Sequence, residues 1–335
     1  MNGFFPGRAQ FQIHNEADLR TIIPPYPAML DKRILNALDQ HCLEIIRLAR
    51  LVIFASAAQD RPMQVLEIAS VRVVDSTRFH IEIASESTCA SCCEGSMYFL
   101  VPGVGHGLRV NGGIVEQDAY LHFHVRAAYV HCARAAARAD LWQSATSRKY
   151  PPGASASMSR DEFIQRSPYL MLKTMNRANE TELSPRGDEP GFVKVLGGDA
   201  LFIPERPGNK VAVSLRHILE NPSVELLFFI PGRHSVLHLR CEAWVSVDEA
   251  LLNECVVKGK RPKLGLLLKV IEHSISDCDV LAQSGGWFRD CLIDENDLTR
   301  FSTVLSRHMH GSGMLGKATA PVVQMVVKHD LKNLY

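Results

Sequence analysis

Two stretches of this chain carry residue types in the same order. Around Met97 the sequence reads MYFLVPGVGHGLRVNGG, and around Leu227 it reads LFFIPGRHSVLHLRCEA: an apolar strand, Pro-Gly, a polar turn and an alternating strand. Upstream, LEIIRLARLVIFAS from Leu43 matches DEFIQRSPYLMLKT from Asp161, each a helix end feeding a strand. Downstream, HCARAAARADLW ending at Trp142 has a fainter echo in SDCDVLAQSGGW ending at Trp287. A pattern kept in the same order asks both halves to close the same kind of sheet. LVIFASA, FHIEIA, YFLVP and LHFHVRAAYV in the first half, and YLMLKT, GFVKVL, ALFIP, ELLFFIP and HLRCEAWVSV in the second, are apolar runs rich in β-branched and aromatic residues and bounded by turn formers. Strand after strand with few helices between them points to barrels.

The copies differ in length. Ile46 to Gly103 is 57 positions and Ile164 to Gly232 is 68, so the first copy lacks about eleven residues before its Pro-Gly. There the second copy carries RPGNKVAVSLRHILENP, and the first has SESTCASCCEG, without Arg or Lys. After the Pro-Gly the imbalance reverses, with 39 positions from Gly103 to Trp142 and 55 from Gly232 to Trp287. The segment from Tyr150 to Ser159, YPPGASASMS, reads as a linker. The expected division is an N-terminal tail over 1–30, a degenerate first barrel over 31–149, the linker over 150–159, a second barrel over 160–300 and a C-terminal extension over 301–335.

The chain's 335 residues, 46% hydrophobic and 22% charged, can bury two ordinary cores. A formal charge of +1 offers no global attraction to nucleic acid or anionic membrane. No apolar run reaches the ~18–20 residues of a membrane span, and MNGFFPGRAQ has no signal-peptide pattern. A cytoplasmic protein without nucleic-acid or membrane partners is expected. Nine cysteines at irregular spacing read as reduced thiols. Cys89, Cys92 and Cys93 invite a metal reading, but no second Cys/His pair follows at finger-like spacing, and no metal is expected.

The run from Leu183 to Phe229 concentrates the chemistry. It sets a glycine-rich, arginine-bearing turn after a strand and before a helix over Ser214–Glu220 that stops at Asn221-Pro222, an arrangement that presents N–H groups and cations to a phosphate. Arg186, Arg206 and Lys210 can supply charge, Gly208 lets backbone approach, and Asn209, Ser184 and Ser214 add neutral donors. Each basic residue could equally be a solvated loop charge, and Ser214 could serve as the N-cap of its helix.

These motifs resemble those of the pyridoxamine 5′-phosphate oxidase-like split-barrel flavoproteins. The resemblance covers about 130 residues of the second half and about 100 of the first. The second half carries the first part of the motif order, in Ser184-Pro185-Arg186-Gly187-Asp188, Arg206-Pro207-Gly208-Asn209-Lys210 and Ser214. The first half carries the last part, in Leu108-Arg109-Val110-Asn111-Gly112 and in His131-Cys132 through Trp142. The resemblance implies a mainly β protein with peripheral helices, built as two tandem split β-barrels forming an intramolecular pseudo-dimer. Proteins of that group normally pair two subunits around two flavin mononucleotide (FMN) sites, each built from both chains.

The expected consequence is one complete FMN site per chain. The cradle residues Ser184, Arg186, Gly187, Arg206, Gly208, Asn209, Lys210 and Ser214 would face His131, Cys132, Arg134, Arg138 and Trp142. The reciprocal site, with its cradle deleted, is expected to be closed by side chains. LRVNGG sits in the first half, although the second half should own the same-barrel strand of the site: either it packs at the barrel interface, or the two halves divide the site differently. In the alternative reading His131 and Cys132 are core residues, Trp142 packs under the linker, and the arginines face solvent. The resemblance implies a flavin-dependent oxidoreductase passing hydride between flavin N5 and a small substrate or NAD(P)H, with dioxygen a further acceptor. The alternative is a non-catalytic flavin- or haem-binding carrier or sensor. For haem, His308-Met309-His310 before Gly311-Ser312-Gly313 is the candidate ligand arm. A monomer suffices for such a pseudo-dimer, and a homodimer remains open.

Overall fold

The computed structural model describes residues 8–58, 60–82, 92–117, 120–146, 158–208, 210–285, 287, 289–310 and 314–335. Most of the proposed linker, Cys89 and Asn209 lie outside the described residues. The strands are β1 (Gln12–Ile13), β2 (Leu51–Ser56), β3 (Gln64–Glu67), β4 (Val71–Asp75), β5 (Arg78–Glu82), β6 (Cys93–Leu100), β7 (Gly107–Gln117), β8 (Tyr120–His131), β9 (Tyr169–Met175), β10 (Thr181–Gly187), β11 (Lys194–Gly197), β12 (Ala200–Pro204), β13 (Ser223–Phe229), β14 (Ser235–Ser246) and β15 (Gly265–Asp277). The helices are α1 (Glu16–Ile22), α2 (Gln40–Leu48), α3 (Arg134–Arg138), α4 (Leu141–Thr146), α5 (Arg160–Arg166), α6 (Val213–Glu220), α7 (Glu249–Asn253), α8 (Asp279–Gln283), α9 (Phe301–His310) and α10 (Met314–Lys332).

The protein is mainly β, with two antiparallel split-barrel sheets in tandem and helices at their periphery. One sheet runs β3-β2-β6-β7-β8-β5-β4 and the other β10-β9-β13-β14-β15-β12-β11, with β1 added to β14. Counted along the chain within each sheet, the strand order is the same. The paired Pro-Gly motifs sit at matching turns, β6 to β7 and β13 to β14, and both glycines are left-handed, with φ of +87° at Gly103 and +85° at Gly232. Glycine occupies that region without the Cβ clash other residues meet.

The apolar runs of β2, β6, β9 and β13 are buried on both faces because each lies between a barrel core and the seam joining the barrels. Val52 and Phe54 of β2, with Met97 and Phe99 of β6, enter the first barrel's core. Leu170, Leu172, Leu226 and Phe228 do the same in the second barrel. The alternate residues, Leu51, Ile53, Tyr98, Tyr169, Met171, Leu227 and Phe229, meet in a shared cluster at the seam. Strand side chains point to opposite faces in turn, so one apolar run serves both interiors.

Several elements differ from the sequence expectation. β15 was not among the expected strands: its first residues are buried but the stretch from Glu272 to Asp277 is exposed, so neither alternation nor a short apolar run marks its full length. The N-terminal segment contributes a strand, since Gln12 and Ile13 pair with Ser246 and Val245. The His308-Met309-His310 segment lies in α9, and the His308 side chain is buried against Asp39 at 2.9 Å. The helix expected at Ser214–Glu220 begins one residue earlier, with Ala212 at the N-cap position, so Ser214 lies inside the helix. No helix of the described residues is long and apolar enough to cross a membrane.

A polar contact also ties the barrels together. Glu225 on β13 accepts from Lys173 Nζ at 2.5 Å, is bonded to His238 Nε2 at 2.8 Å and accepts from the Met63 backbone N–H at 2.9 Å. Burial alone would raise its pKa, but the His238 hydrogen bond, the Lys173 charge and the Met63 N–H outweigh it and hold the carboxyl near 2, below its ordinary 4.5. A depressed folded-state pKa gives stability that is full above the unfolded value and is lost as pH falls through the folded one. Stability is therefore expected to fall between about pH 4.5 and pH 2 in chemical denaturation at a series of pH values. Glu225→Gln should flatten that part of the profile, and an unchanged profile would remove Glu225 as its source.

Candidate functional site

At the seam a cavity of about 460 Å³ is lined by both barrels, within the ~300–1,000 Å³ usual for small-molecule sites. One wall comes from the end of β8 and the start of α3, with Tyr129, His131, Cys132, Arg134 and Arg138. The facing wall comes from the end of β10, the turn after β12 and the start of α6, with Ser184, Arg186, Gly187, Arg206, Gly208 and Ser214. Phe301, Leu305 and Met309 of α9 and Val322, Val323, Val326 and Val327 of α10 complete the lining with apolar surface.

α3 and β10 approach closely. A Cβ at Gly187 would sit 2.2 Å from the Ala135 carbonyl oxygen, so only glycine allows this contact. The contact brings the arginines of α3 to the turn after β12. Arg134 Nη1 and Arg138 Nη2 donate to the Pro207 carbonyl at 3.2 and 2.7 Å.

Six guanidinium groups line the cavity, from Arg33, Arg109, Arg134, Arg138, Arg186 and Arg206, against the two carboxylates of Glu182 and Glu205. Arg186 donates to Ser184 Oγ at 2.7 Å and lies 3.3 Å from Glu205. Arg206 donates to Asp188 at 2.6 Å and to the Cys255 carbonyl at 2.8 Å. Buried nitrogens of Arg33 (Nε), Arg109 (Nε and Nη2) and Arg186 (Nε) have no acceptor among the described residues. A buried donor left without an acceptor costs about 1–3 kcal/mol, so these groups favour an electron-rich ligand. α6 adds to the effect: among the described residues no side chain caps its N-terminus, and Val213, Ser214 and Leu215 line the cavity.

Below the cavity lies a polar network that crosses the seam. Glu182 of β10 pairs with Arg109 of β7, accepts from Tyr129 OH at 2.8 Å and accepts from Asn111 Nδ2 at 2.6 Å. Arg109 donates to Tyr129 OH at 2.7 Å. Ser96 bonds Asn111 at 2.7 Å and receives the Leu183 backbone N–H at 3.3 Å. The LRVNGG strand therefore reaches the opposite barrel. Burial and the positive charges of Arg109 and Arg33 push the His131 pKa well below its ordinary value, which keeps the imidazole neutral. Its Nδ1 lies 3.3 Å from the Cys132 carbonyl, so Nδ1 carries the proton and donates.

The cavity brings together Ser184, Arg186, Gly187, Arg206, Gly208 and Ser214 with His131, Cys132, Arg134 and Arg138. Trp142 is elsewhere, donating to the Val104 carbonyl at 2.8 Å with its ring 5.7 Å from that of Trp287. Lys210, left-handed at φ +64°, lines a neighbouring cavity. Arg33, Arg109, Tyr129, Glu182 and the α9–α10 lining were not picked out as site residues in the sequence. The LRVNGG motif contained Arg109 but gave no sign of its partner. Tyr335 was also missed: its OH donates to Asp188, and its ring lies 5.7, 5.4 and 5.4 Å from the cationic groups of Arg138, Arg206 and Lys258. Among the described residues no three His, Cys, Asp or Glu side chains cluster to hold a metal.

No protein-family model matches the chain, and no curated protein matches it. Solved structures similar to it are split-barrel proteins of the pyridoxamine phosphate oxidase-like and FMN-binding kind. HupZ of group A Streptococcus is 13% identical, with a TM-score of 0.31 over 36% of this chain and 94% of its own. A Clostridium acetobutylicum protein related to general stress protein 26, of the pyridoxinephosphate oxidase family, is 12% identical, with a TM-score of 0.25 over 36% of this chain and 92% of its own. An FMN-binding protein from Syntrophomonas wolfei is 14% identical, with a TM-score of 0.24 over 35% of this chain and 88% of its own.

Proposed function

We propose that the chain binds one FMN in the seam cavity and acts as a flavin-dependent oxidoreductase. The observation that carries this reading is the excess of guanidinium groups around a largely apolar cavity, several with buried N–H groups that have no acceptor among the described residues. A phosphomonoester on a flat, largely apolar ring system matches that wall: cations and α6 N–H groups at one end, apolar side chains beside them. Ser184, Arg186, Arg206 and the first turn of α6 hold the phosphate, and Gly208 leaves open space for it. Arg109 and Arg33 face the ring system, where their N–H donors favour negative charge at the pyrimidine edge, and neutral His131 beside them presents Nε2 as an acceptor. α9 and α10 exclude water from that end. When bound, the flavin supplies hydride transfer at N5, with a small substrate, NAD(P)H or dioxygen as the other partner.

The asymmetry of the two sides supports one site per chain. On the other side of the seam α8 packs near β3, and Met63, Leu281, Trp287 and Leu292 fill that region with side chains. We read the two barrels as copies of one ancestral unit of which a single cradle persists, and we expect the protein to remain in the cytoplasm.

The absorbance spectrum and cofactor-to-chain ratio of the purified protein test the reading. A flavin spectrum at one per chain is expected, whereas a Soret band or two flavins per chain would overturn it. Stopped-flow reoxidation of the photoreduced protein separates enzyme from carrier: a flavin that fails to react with dioxygen, NAD(P)H or any screened acceptor is a carried one.

A further inference from the structure

A second cavity of about 400 Å³ lies beside the first and shares Glu205, Arg206, Pro207 and Gly208 with it. The proposed flavin site does not use it. Ile22, Ile23, Pro262 and Leu264 give it apolar surface, and the cationic lining is Arg206, Lys210, Lys260, Arg261 and Lys263. Glu205 is the one carboxylate among its described lining residues. In a chain of formal charge +1, five cations on one cavity are a local concentration that the composition does not suggest.

The basic segment Lys258-Gly259-Lys260-Arg261-Pro262-Lys263 is held in place by a tight turn. Val257 and Lys260 form a two-way backbone pair at 3.1 and 2.9 Å, and the intervening Lys258 and Gly259 are left-handed at φ +50° and +72°. Two such residues in succession are the requirement of a two-residue hairpin turn. On the facing side, left-handed Lys210 and Ala212 bend the chain so that Lys210 joins the same cavity. Arg206 is paired with Asp188, and Arg261 lies 3.5 Å from Glu249. Lys210, Lys260 and Lys263 have no carboxylate partner among the described residues. Like charges gathered on one concave wall repel one another and raise the local concentration of counter-ions, so an anion bound there is favoured twice.

We propose that this second cavity is a subsite for a polyanionic group of the pyrophosphate class. Cations spread around the cavity match a ligand with two or more phosphates better than a single point charge. Two sources share that chemistry: a diphosphate extension of a ligand seated in the first cavity, crossing the shared Arg206-Pro207-Gly208 wall beside Tyr335, or a separate small polyanion. The subsite stands on its own residues whether or not the first cavity takes a flavin.

Calorimetric titration of the full chain with inorganic pyrophosphate tests it. Lys260, Arg261 and Lys263 are exposed, so a Lys260→Gln, Arg261→Gln, Lys263→Gln variant is expected to keep its melting temperature. Its Kd for pyrophosphate should rise by at least about tenfold and its salt dependence should weaken, while Arg240→Gln, which removes an exposed cation outside both cavities, leaves both unchanged. A parent protein that does not bind pyrophosphate, or a triple variant that binds it equally well, overturns the proposal. So does binding that is lost in Arg186→Ala and kept in the triple variant. Comparing FMN with flavin adenine dinucleotide identifies the source: an extension makes the dinucleotide bind more tightly than FMN in the parent alone and displace pyrophosphate. A separate polyanion instead binds unchanged to the FMN-saturated protein. Failure to bind either flavin, with pyrophosphate binding intact, removes the flavin reading and leaves this subsite standing.

Discussion

Glu182→Ala is expected to destabilise the protein by about 3–5 kcal/mol, the effect of stranding a buried charge. Glu182 and Arg109 are each 3% exposed, so neither can recover its interactions in water by a small movement. Removing the carboxylate takes the acceptor from Arg109, Tyr129 and Asn111 together, and Arg109 already has two buried nitrogens with no acceptor among the described residues. Because Glu182 lies in the second barrel and its three partners in the first, the loss falls on the seam. Urea denaturation of the variant should show a lower midpoint, and the slope should also fall if the barrels come to unfold separately. Arg109→Leu combined with Glu182→Leu should recover much of the loss, since an apolar pair carries no desolvation penalty. An unfolding free energy within about 0.5 kcal/mol of the parent for Glu182→Ala, the scatter of ordinary surface substitutions, would show that the network adds nothing to the seam.

The second large effect is on ligand affinity. Arg186→Ala with Arg206→Ala should weaken FMN binding by about 10²–10⁴-fold, from two charge-assisted contacts of about 1.5–3 kcal/mol each. Riboflavin, which lacks the phosphate, should bind parent and variant within about threefold of each other if those contacts are confined to the phosphate. That contrast separates loss of a phosphate contact from collapse of the cavity. Arg206 also pairs with Asp188, but Asp188 keeps the Tyr335 hydroxyl and the Glu189 backbone N–H at 2.9 Å, so the turn retains partners when the guanidinium is removed. Equal FMN affinity in parent and variant would place the phosphate elsewhere. Fluorescence quenching of both flavins at fixed ionic strength makes the comparison directly.

The barrels were legible in the sequence because their signals are local. A strand buried on both faces is a continuous apolar run, as LVIFAS and YLMLKT show, and a Pro-Gly turn needs only its own two residues. The arginines of the SPRGD and RPGNK segments were likewise marked by their neighbours. β15 was not legible, because its exposed half, with Ile271 and Ile275 set among Glu272, His273, Ser274, Ser276 and Asp277, carries no continuous apolar run. Lys210 shows the limit of adjacency: it stands four positions from Arg206 and meets it in the second cavity, yet its left-handed backbone keeps it out of the first, which Arg206 also lines. Trp142 shows the same limit, since the segment that brings His131 and Arg138 to the cavity carries the indole away to Val104 and Trp287.

What the sequence determined by itself is the set of elements and the chemistry available to them: two runs of strands in matching order, one basic glycine-containing turn, and an arginine-bearing segment ending the first half. Tertiary structure alone decided which of these residues share a space. Glu182 meets Arg109 across 73 positions, and Tyr335 reaches Asp188 across 147. The basic segment at 258–263 reaches Lys210 because a hairpin turn and a left-handed bend direct both into one cavity. Hydrophobic periodicity records which face of a strand is buried. It carries no record of which charged residue of a distant strand lies opposite, because that pairing is fixed only when the two barrels close their common seam.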